Sequence, residues 1–124
     1  MKRSKVIIVE DESIIAFELK MKLQNNGYDV VTIVRTGKEV IDAVVLHEPD
    51  VILMEILLQG DMDGIEAATR IQEKRNIPII YVTTSTYLKS SKRLIASKPF
   101  GMLMKPIVDE KLFEMLEQAV AANL

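Results

Sequence analysis

The chain has 124 residues, of which 48% are hydrophobic and 27% charged, and its formal net charge is −2 at pH 7. This length suits one domain that buries a core without metal or disulfide support. The chain contains no cysteine, so disulfides and cysteine-ligated metal sites are excluded. The slightly acidic balance argues against direct nucleic-acid binding, which usually needs a basic surplus.

The N-terminal apolar run from Val6 to Val9 is too short for a signal peptide or a membrane span. No linker, internal repeat or low-complexity tract interrupts the rest of the sequence. We therefore expect a single cytoplasmic domain over residues 1–124, with no membrane contact.

Short runs rich in valine and isoleucine alternate with longer runs that have helical spacing. Apolar runs without polar interruption are typical of strands covered on both faces. The predicted strands are Lys5–Val9, Asp29–Val34, Val51–Ile56, Ile79–Val82 and Gly101–Met104.

Five helices are predicted between and after these strands. The first ends near Asn25-Asn26-Gly27, the second ends before Pro49, and the third begins after Asp63-Gly64. The fourth spans Tyr87 to Ser97, with Ser85 or Thr86 as its cap, and the fifth spans Val108 to Ala121. The order predicts a (βα)5 domain of the α/β class, with one open parallel sheet and helices on both faces.

Acidic residues stand at the ends of two predicted strands: Glu10 and Asp11 follow the first, and Glu55 ends the third. In open α/β sheets, ligands bind at the carboxyl ends of the strands. Helix capping would explain Asp11 or Glu12, at roughly 0.3–1 kcal/mol each, but it gives Glu10 and Glu55 no role. Three carboxylates in one crevice need a cation, and hard oxygen ligands suit Mg²⁺. We therefore favour a divalent-ion site over capping alone.

Two further residues directly follow predicted strands in the same region. The Thr83 hydroxyl is placed to hydrogen-bond an anionic oxygen, and Lys105 supplies a positive charge. With carboxylates on neighbouring strand ends, we expect Lys105 to pair with Glu55 rather than to be a solvated surface lysine.

The ordered segments VIIVEDE, ILMEILLQGDMDGIEAA, PIIYVTTST and PFGMLMKPI resemble response-regulator receiver domains over essentially the whole chain. The loop containing Gln59-Gly60 resembles a subgroup that is often attached to sensor kinases or PAS-containing proteins. The resemblance implies a flavodoxin-like sheet with strand order 2-1-3-4-5. It also implies a non-enzymatic switch in a two-component phosphorelay, with a histidine kinase or an adjacent signalling domain as partner.

The resemblance also assigns roles to individual residues. Glu10 and Asp11 match the acidic pair that holds Mg²⁺, with Glu55 and the backbone carbonyl of Leu57 beside them as further ligands. Thr83 matches the switch hydroxyl, and Lys105 matches the lysine that contacts the phosphoryl group. The Lys105–Pro106 bond resembles the family's cis peptide.

Other flavodoxin-like proteins match the sequence less well. A flavodoxin needs a phosphate loop rich in Ser, Thr and Gly after the first strand, but this segment is acidic. A phosphatase of the haloacid dehalogenase type needs D-x-D there, whereas Asp11 is followed by Glu12-Ser13.

Glu55 departs from the family because it stands where the phosphoacceptor aspartate is expected. The extra methylene moves its carboxylate by about 1.5 Å, and a 1 Å error in positioning can reduce a rate on the order of a hundredfold. We expect inefficient phosphorylation. Glu55 then either imitates part of the phosphorylated state through Lys105 and Thr83, or the domain is a pseudo-receiver with only an interaction surface. A third alternative is that Glu55 is an engineered substitution.

Two other features concern the switch and the partner surface. Met102 replaces the family's switch aromatic, and ordinary packing is the favoured interpretation of Met102 and Met104. The fourth helix carries Lys89, Lys92, Arg93 and Lys98 without an acid. This basic run is either a solvated face or part of a homodimer surface formed by the fourth helix, fifth strand and fifth helix, facing Glu114 or Glu117.

Overall fold

The structure is a computed structural model that describes residues 2–84 and 91–123. Its five parallel strands form one sheet in the order β2-β1-β3-β4-β5. The strands are β1 (Lys5–Val9), β2 (Asp29–Val34), β3 (Val51–Glu55), β4 (Ile79–Thr83) and β5 (Gly101–Met104). The helices are α1 (Ser13–Asn25), α2 (Gly37–His47), α3 (Gly64–Lys74), α4 (Lys92–Ala96) and α5 (Asp109–Ala122). The predicted fold class and strand order are confirmed.

Local sequence signals explain where most helices begin and end. After α1, Gly27 adopts a φ of +89°, a conformation that glycine tolerates without strain. The α2 helix begins at the Thr36 cap, whose hydroxyl accepts the Glu39 N–H, and it ends with Glu48 in the left-handed region before Pro49. Strand β3 ends one residue before its predicted end at Ile56. Strand β4 continues one residue past its predicted end and includes Thr83.

The fourth helix can be compared with its prediction only in part. The described portion is the short helix Lys92–Ala96, which begins after Ser91, whose hydroxyl accepts the Leu94 N–H. The predicted start at Tyr87 and the predicted caps Ser85 and Thr86 lie outside the described residues.

The core has two halves, one on each face of the sheet. One half packs β-strand side chains such as Ile52 and Tyr81 against α2, α3 and α4. The other packs residues such as Leu53 and Ile80 against α1 and α5. Because both faces are covered, every residue of β3 and β4 is buried. No helix in residues 2–84 and 91–123 is long and apolar enough to cross a membrane.

The start of α3 lies against the end of β3. The Gly64 N–H donates to the Ile56 carbonyl at 2.7 Å, and a Cβ at Gly64 would overlap the backbone carbonyl oxygen of Glu55. Asp63 caps the helix by accepting the Glu66 N–H at 2.8 Å. Glycine is therefore required at this position, because it brings α3 against the backbone of Glu55.

Candidate functional site

The carboxyl ends of four adjacent strands form a crevice at the edge of the sheet. Strand order reverses between β1 and β3, and such a reversal opens a crevice in doubly wound sheets. Glu10 follows β1, Glu55 and Thr83 end β3 and β4, and Lys105 follows β5. The predicted convergence of these strand-end residues is confirmed.

Lys105 lies between two buried carboxylates. Its Nζ donates to Oε1 of Glu10 and to Oε1 of Glu55, each at 2.6 Å. The side chains of Glu10, Glu55 and Lys105 are only 5%, 10% and 13% exposed. The predicted pair with Glu55 is confirmed, but the sequence analysis missed the pair with Glu10. Because β1 and β3 are neighbours in the sheet, Glu10 lies beside Glu55, and this could have indicated that Lys105 pairs with both.

The second oxygen of each carboxylate accepts hydrogen bonds from the backbone. Oε2 of Glu55 accepts the N–H groups of Ile56 at 2.7 Å and Leu57 at 3.3 Å. Oε2 of Glu10 accepts the Glu12 N–H at 3.2 Å. All four oxygens therefore have partners within the protein, which is what burial of two charges demands.

Burial and pairing shift two pKa values in the crevice. Burial raises the pKa of Glu10, and the hydrogen bond from Lys105 offsets this only in part; the nearby Asp11 carboxyl raises it further. Burial opposes the charge on Lys105, but the hydrogen bonds to Glu10 and Glu55 outweigh it and raise the pKa of this lysine. Lys105 is therefore the stable cation of the crevice at neutral pH.

The structure shows no side-chain cap at the start of α1. Glu12 is the N-cap of this helix, and its side chain makes no capping hydrogen bond. The backbone carbonyl of Asp11 instead accepts Nη2 of Arg35 at 2.7 Å, a contact that the sequence analysis missed. Arg35 lies in the loop after β2, so only the strand order brings it to Asp11.

The remaining predicted residues line the same edge of the sheet. Thr83 is buried, and its carbonyl accepts the Lys105 N–H at 3.0 Å. The Lys105–Pro106 peptide is cis, as the resemblance implied. Met102 is half-buried against the core half that faces α2, α3 and α4, in agreement with a packing role.

The chemistry of these residues suits a hard cation, but their arrangement does not. Carboxylates and a backbone carbonyl are oxygen ligands of the kind that Mg²⁺ takes. Lys105 nevertheless contacts both Glu10 and Glu55, so an ammonium group already lies between the two carboxylates that an ion would bind. Within the described part of the chain, no three or more acidic, histidine or cysteine side chains are grouped to hold a metal ion.

A cavity of about 620 Å³ opens beside the crevice. Glu55 and Lys105 lie at its wall, together with Asp11 and apolar side chains from α1 and the segment after β5. The apolar members of this wall are Ile15, Leu19, Leu57, Pro106 and Ile107. The crevice therefore opens to solvent along the side of α1.

The fold and the acidic crevice with its lysine define a doubly wound α/β domain with a charged site at the carboxyl ends of its strands. The model of the response regulator receiver domain family matches residues 6–117. The chain belongs to this family, and it is thus a regulatory, non-enzymatic domain of two-component signalling.

Two curated relatives are transcriptional regulatory proteins. The protein PdtaR of Mycobacterium tuberculosis is 32% identical over 117 residues, covering 94% of this chain and 57% of PdtaR. YdfI of Bacillus subtilis is 32% identical over 124 residues, covering 98% of this chain and 57% of YdfI. The chain thus spans little more than half the length of these relatives.

Solved structures of receiver domains agree with the fold. The signal receiver domain of a modulated diguanylate cyclase from Desulfovibrio desulfuricans G20 superimposes with a TM-score of 0.90 at 34% identity, covering 98% of this chain and 97% of that one. The N-terminal domain of a response regulator/sensory box/GGDEF protein from Carboxydothermus hydrogenoformans gives 0.86 at 30% identity, covering 95% and 94%.

Proposed function

We propose that this receiver domain is a signalling switch in which Glu55 replaces the phosphoacceptor and is phosphorylated inefficiently. The contact that carries this proposal is the 2.6 Å hydrogen bond from Lys105 Nζ to Glu55 Oε1. The longer Glu55 side chain places its carboxylate in contact with Lys105, which matches the lysine that contacts the phosphoryl group in the family.

Both Glu55 oxygens are engaged, which disfavours their attack on a phosphoryl donor. One accepts from Lys105 and the other from the N–H groups of Ile56 and Leu57. In-line transfer depends on positioning, and a displacement of about 1 Å can reduce the rate on the order of a hundredfold.

The same contacts support partial imitation of the phosphorylated state. The Glu55 carboxylate gives Lys105 and two backbone N–H groups an anionic acceptor without any modification. It carries one negative charge, whereas a phosphoryl group carries about two and three acceptor oxygens. The imitation is therefore incomplete.

Mg²⁺ binding is correspondingly weak in this proposal. Glu10, Asp11, Glu55 and the Leu57 carbonyl are the groups that would surround the ion, whose charge would balance an added phosphoryl group. Lys105 holds two of those carboxylates, so Mg²⁺ would have to compete with a buried ion pair.

The partners follow from the family. We propose that a histidine kinase or an adjacent signalling domain contacts this domain in the cytoplasm, and that its output resembles that of the transcriptional regulators to which it is similar. A phosphorylation-independent pseudo-receiver is the second candidate function. It is supported by the ion pairs that both Glu10 and Glu55 already make with Lys105.

Phosphorylation can be tested with acetyl phosphate and Mg²⁺, using intact-mass measurement. Glu55→Asp should gain one phosphoryl group, while the unmodified chain should be labelled at least about a hundredfold more slowly. Glu55→Gln is the unlabelled control. A stable acyl-phosphate on Glu55, formed as fast as on the aspartate variant, would overturn the proposal.

Amide chemical shifts distinguish partial imitation from a pseudo-receiver. Spectra of the unmodified chain, Glu55→Gln and phosphorylated Glu55→Asp should be compared at residues of β4, α4 and β5. If Glu55 imitates the modified state, the unmodified chain lies between the other two. If it overlaps Glu55→Gln, the pseudo-receiver function is supported instead.

A further inference from the structure

We propose that the amino-terminal edge of β4 and β5 carries a second binding site, which takes a free nucleotide and holds its phosphates with Lys74, Arg75 and Lys98. Arg75 precedes β4 and Lys98 precedes β5, at the end of the sheet opposite to Glu55. This site goes beyond the proposed function, and it holds whether or not Glu55 accepts a phosphoryl group.

A cavity of about 420 Å³ opens at this edge of the sheet. Among the described residues, its wall consists of three cations and two amides: Lys74, Arg75, Lys98, Gln72 and Asn76. No acidic side chain of the described part of the chain belongs to this wall. Cations that line one cavity reinforce one another's potential and attract an anion.

Within the described residues, the three cavity cations take part in no ion pair, whereas other basic side chains do. Nη2 of Arg70 lies 2.7 Å from Oε2 of Glu66, and Nη2 of Arg93 lies 2.9 Å from Oδ1 of Asp63. The cavity residue Arg75 is moreover half-buried. A phosphate group supplies the oxygens that ammonium and guanidinium groups bind through strong, charge-assisted hydrogen bonds.

The ends of helices account for only part of this cluster. Lys74 ends α3 and Arg75 follows it, so both interact favourably with the negative end of the helix dipole. Lys98 comes from a different part of the chain, the turn between α4 and β5, where it adopts a φ of +53°. Glycine takes such a conformation with less strain, but it would leave the cavity without its third cation.

A second, smaller cavity adjoins the basic one and adds an aromatic ring. It has a volume of about 220 Å³ and shares Gln72, Asn76 and Lys98 with the larger cavity. Phe100 lies in its wall and is 37% exposed, and the backbone N–H of this residue donates to the Ile79 carbonyl at 2.8 Å. An exposed ring that is fixed to the sheet gives a nucleotide base a surface on which to stack.

The amides beside the ring supply the polar contacts that a base needs. Nε2 of Gln72 donates to the Ile77 carbonyl at 2.9 Å, which orients the side chain. The oxygen of this amide can then accept a hydrogen bond from an amino group of the base. The phosphates would lie on the three cations and the base against Phe100.

The size and charge of the site match one nucleotide rather than a polymer. The larger cavity lies in the usual range of small-molecule sites, roughly 300–1,000 Å³. A single strand of nucleic acid follows a longer basic groove, and the net charge of −2 argues against such binding.

NMR titration of the full 124-residue chain with ATP and with GTP, without added divalent ions, tests the binding. The amide signals of Arg75, Lys98 and Phe100 should shift and saturate, while those of Glu55 and Leu57 at the opposite end of the sheet should stay constant. Inorganic triphosphate measures the contribution of the phosphates alone. Absence of a saturable shift at the first three residues by about 10 mM of either nucleotide would overturn the proposal.

Variants that remove one charge identify the cations. Arg75→Gln and Lys98→Gln should each raise the Kd about tenfold, because each loses a charge-assisted contact. Lys92→Gln is the matched control, since Lys92 is an exposed lysine of α4 outside both cavities, and it should leave the Kd unchanged. Equal losses in all three variants would show attraction to overall charge and no site at this edge.

Phe100→Leu distinguishes a nucleotide site from a simple anion site. It should weaken ATP binding at least about fivefold through lost stacking, and it should leave the binding of inorganic triphosphate unchanged. If triphosphate binds as tightly as ATP and Phe100→Leu alters neither, the site takes phosphate alone and the nucleotide proposal is wrong. A single-stranded oligonucleotide that shifts the same signals when ATP and GTP do not would also overturn it, in favour of a nucleic-acid surface.

Discussion

Lys105 balances two buried carboxylates, and this makes it the residue on which the crevice depends. Neither Glu10 nor Glu55 has another cation within the contacts described for the crevice. Removal of one member of a buried ion pair leaves an uncompensated charge, which costs far more than the intact pair contributes.

Lys105→Met should therefore reduce the free energy of unfolding by about 3 kcal/mol at pH 7, measured by urea denaturation. The loss should shrink at acidic pH, because the raised pKa of Glu10 lets it bind a proton and relieve the repulsion. Lys22→Met is the control, since its pair with Asp109 is about half exposed and should contribute less than about 1 kcal/mol. Equal losses in both variants would contradict the central role of Lys105.

Asp63 provides a second residue-scale test through its pH dependence. Partial burial opposes ionisation of Asp63, but the hydrogen bond and charge of Arg93 outweigh it and lower the pKa of this carboxyl in the folded state. The ionised form therefore stabilises the protein above the ordinary value of 3.8. That contribution is lost as the pH falls through the lower folded pKa.

The unmodified chain should accordingly be more stable than Asp63→Asn at pH 7, and the difference should shrink as the pH falls below 3.8 and vanish only below the lower folded pKa. Denaturation of both proteins across this pH range measures the difference directly, because all other titrating groups are shared. A difference that stays constant with pH would show that Arg93 does not interact with the carboxylate charge.

At the scale of the elements, two helices begin in the same way but differ in what surrounds the first residue. Gly37 opens α2 after the Thr36 cap, and Gly64 opens α3 after the Asp63 cap. The atoms nearest to a Cβ at Gly37 would belong to the flexible side chain of Met62, whereas those nearest to a Cβ at Gly64 would be backbone atoms of Glu55 and Ile56.

Gly64→Ala should therefore cost about 1–3 kcal/mol of unfolding free energy, because β3 or α3 must shift. Gly37→Ala should change stability by less than about 1 kcal/mol, since Met62 can adjust and alanine lowers the entropy of the unfolded chain. Thermal and urea denaturation of both variants provide the comparison. Similar losses would show that α3 tolerates a shift away from Glu55.

The whole molecule presents β5 as an edge strand of the sheet, beside α4 and α5. Unpaired edges and exposed apolar side chains favour contact with another chain. The exposed residues at this edge include the apolar Ile95 and the cation Lys92. A homodimer through α4, β5 and α5 remains the prediction from the sequence.

Ile95→Glu should reduce self-association in sedimentation-velocity experiments. Val45→Glu on α2 is a matched control, because Val45 and Ile95 are each 62% exposed. Under the prediction, only the change at Ile95 weakens association. Equal sedimentation of both variants and the unmodified chain would rule out this surface as the dimer contact.

Local patterns in the sequence were enough to predict the order of strands and helices and the charged residues at the strand ends. These features depend on local periodicity, glycine and capping signals, which act over a few residues. The cluster of Glu10, Glu55, Thr83 and Lys105 followed from the rule that parallel strands end at one edge.

The pair of Lys105 with Glu55 was predicted, but the second pair of Lys105, with Glu10, and the pair of Arg93 with Asp63 depend on the tertiary structure. Lys105 is 95 residues from Glu10 and 50 from Glu55, and Arg93 is 30 from Asp63. Such pairs depend on strand order, on the close approach of α3 at Gly64, and on the direction of long side chains. None of these is encoded in a local pattern, because each requires the whole sheet to be assembled first.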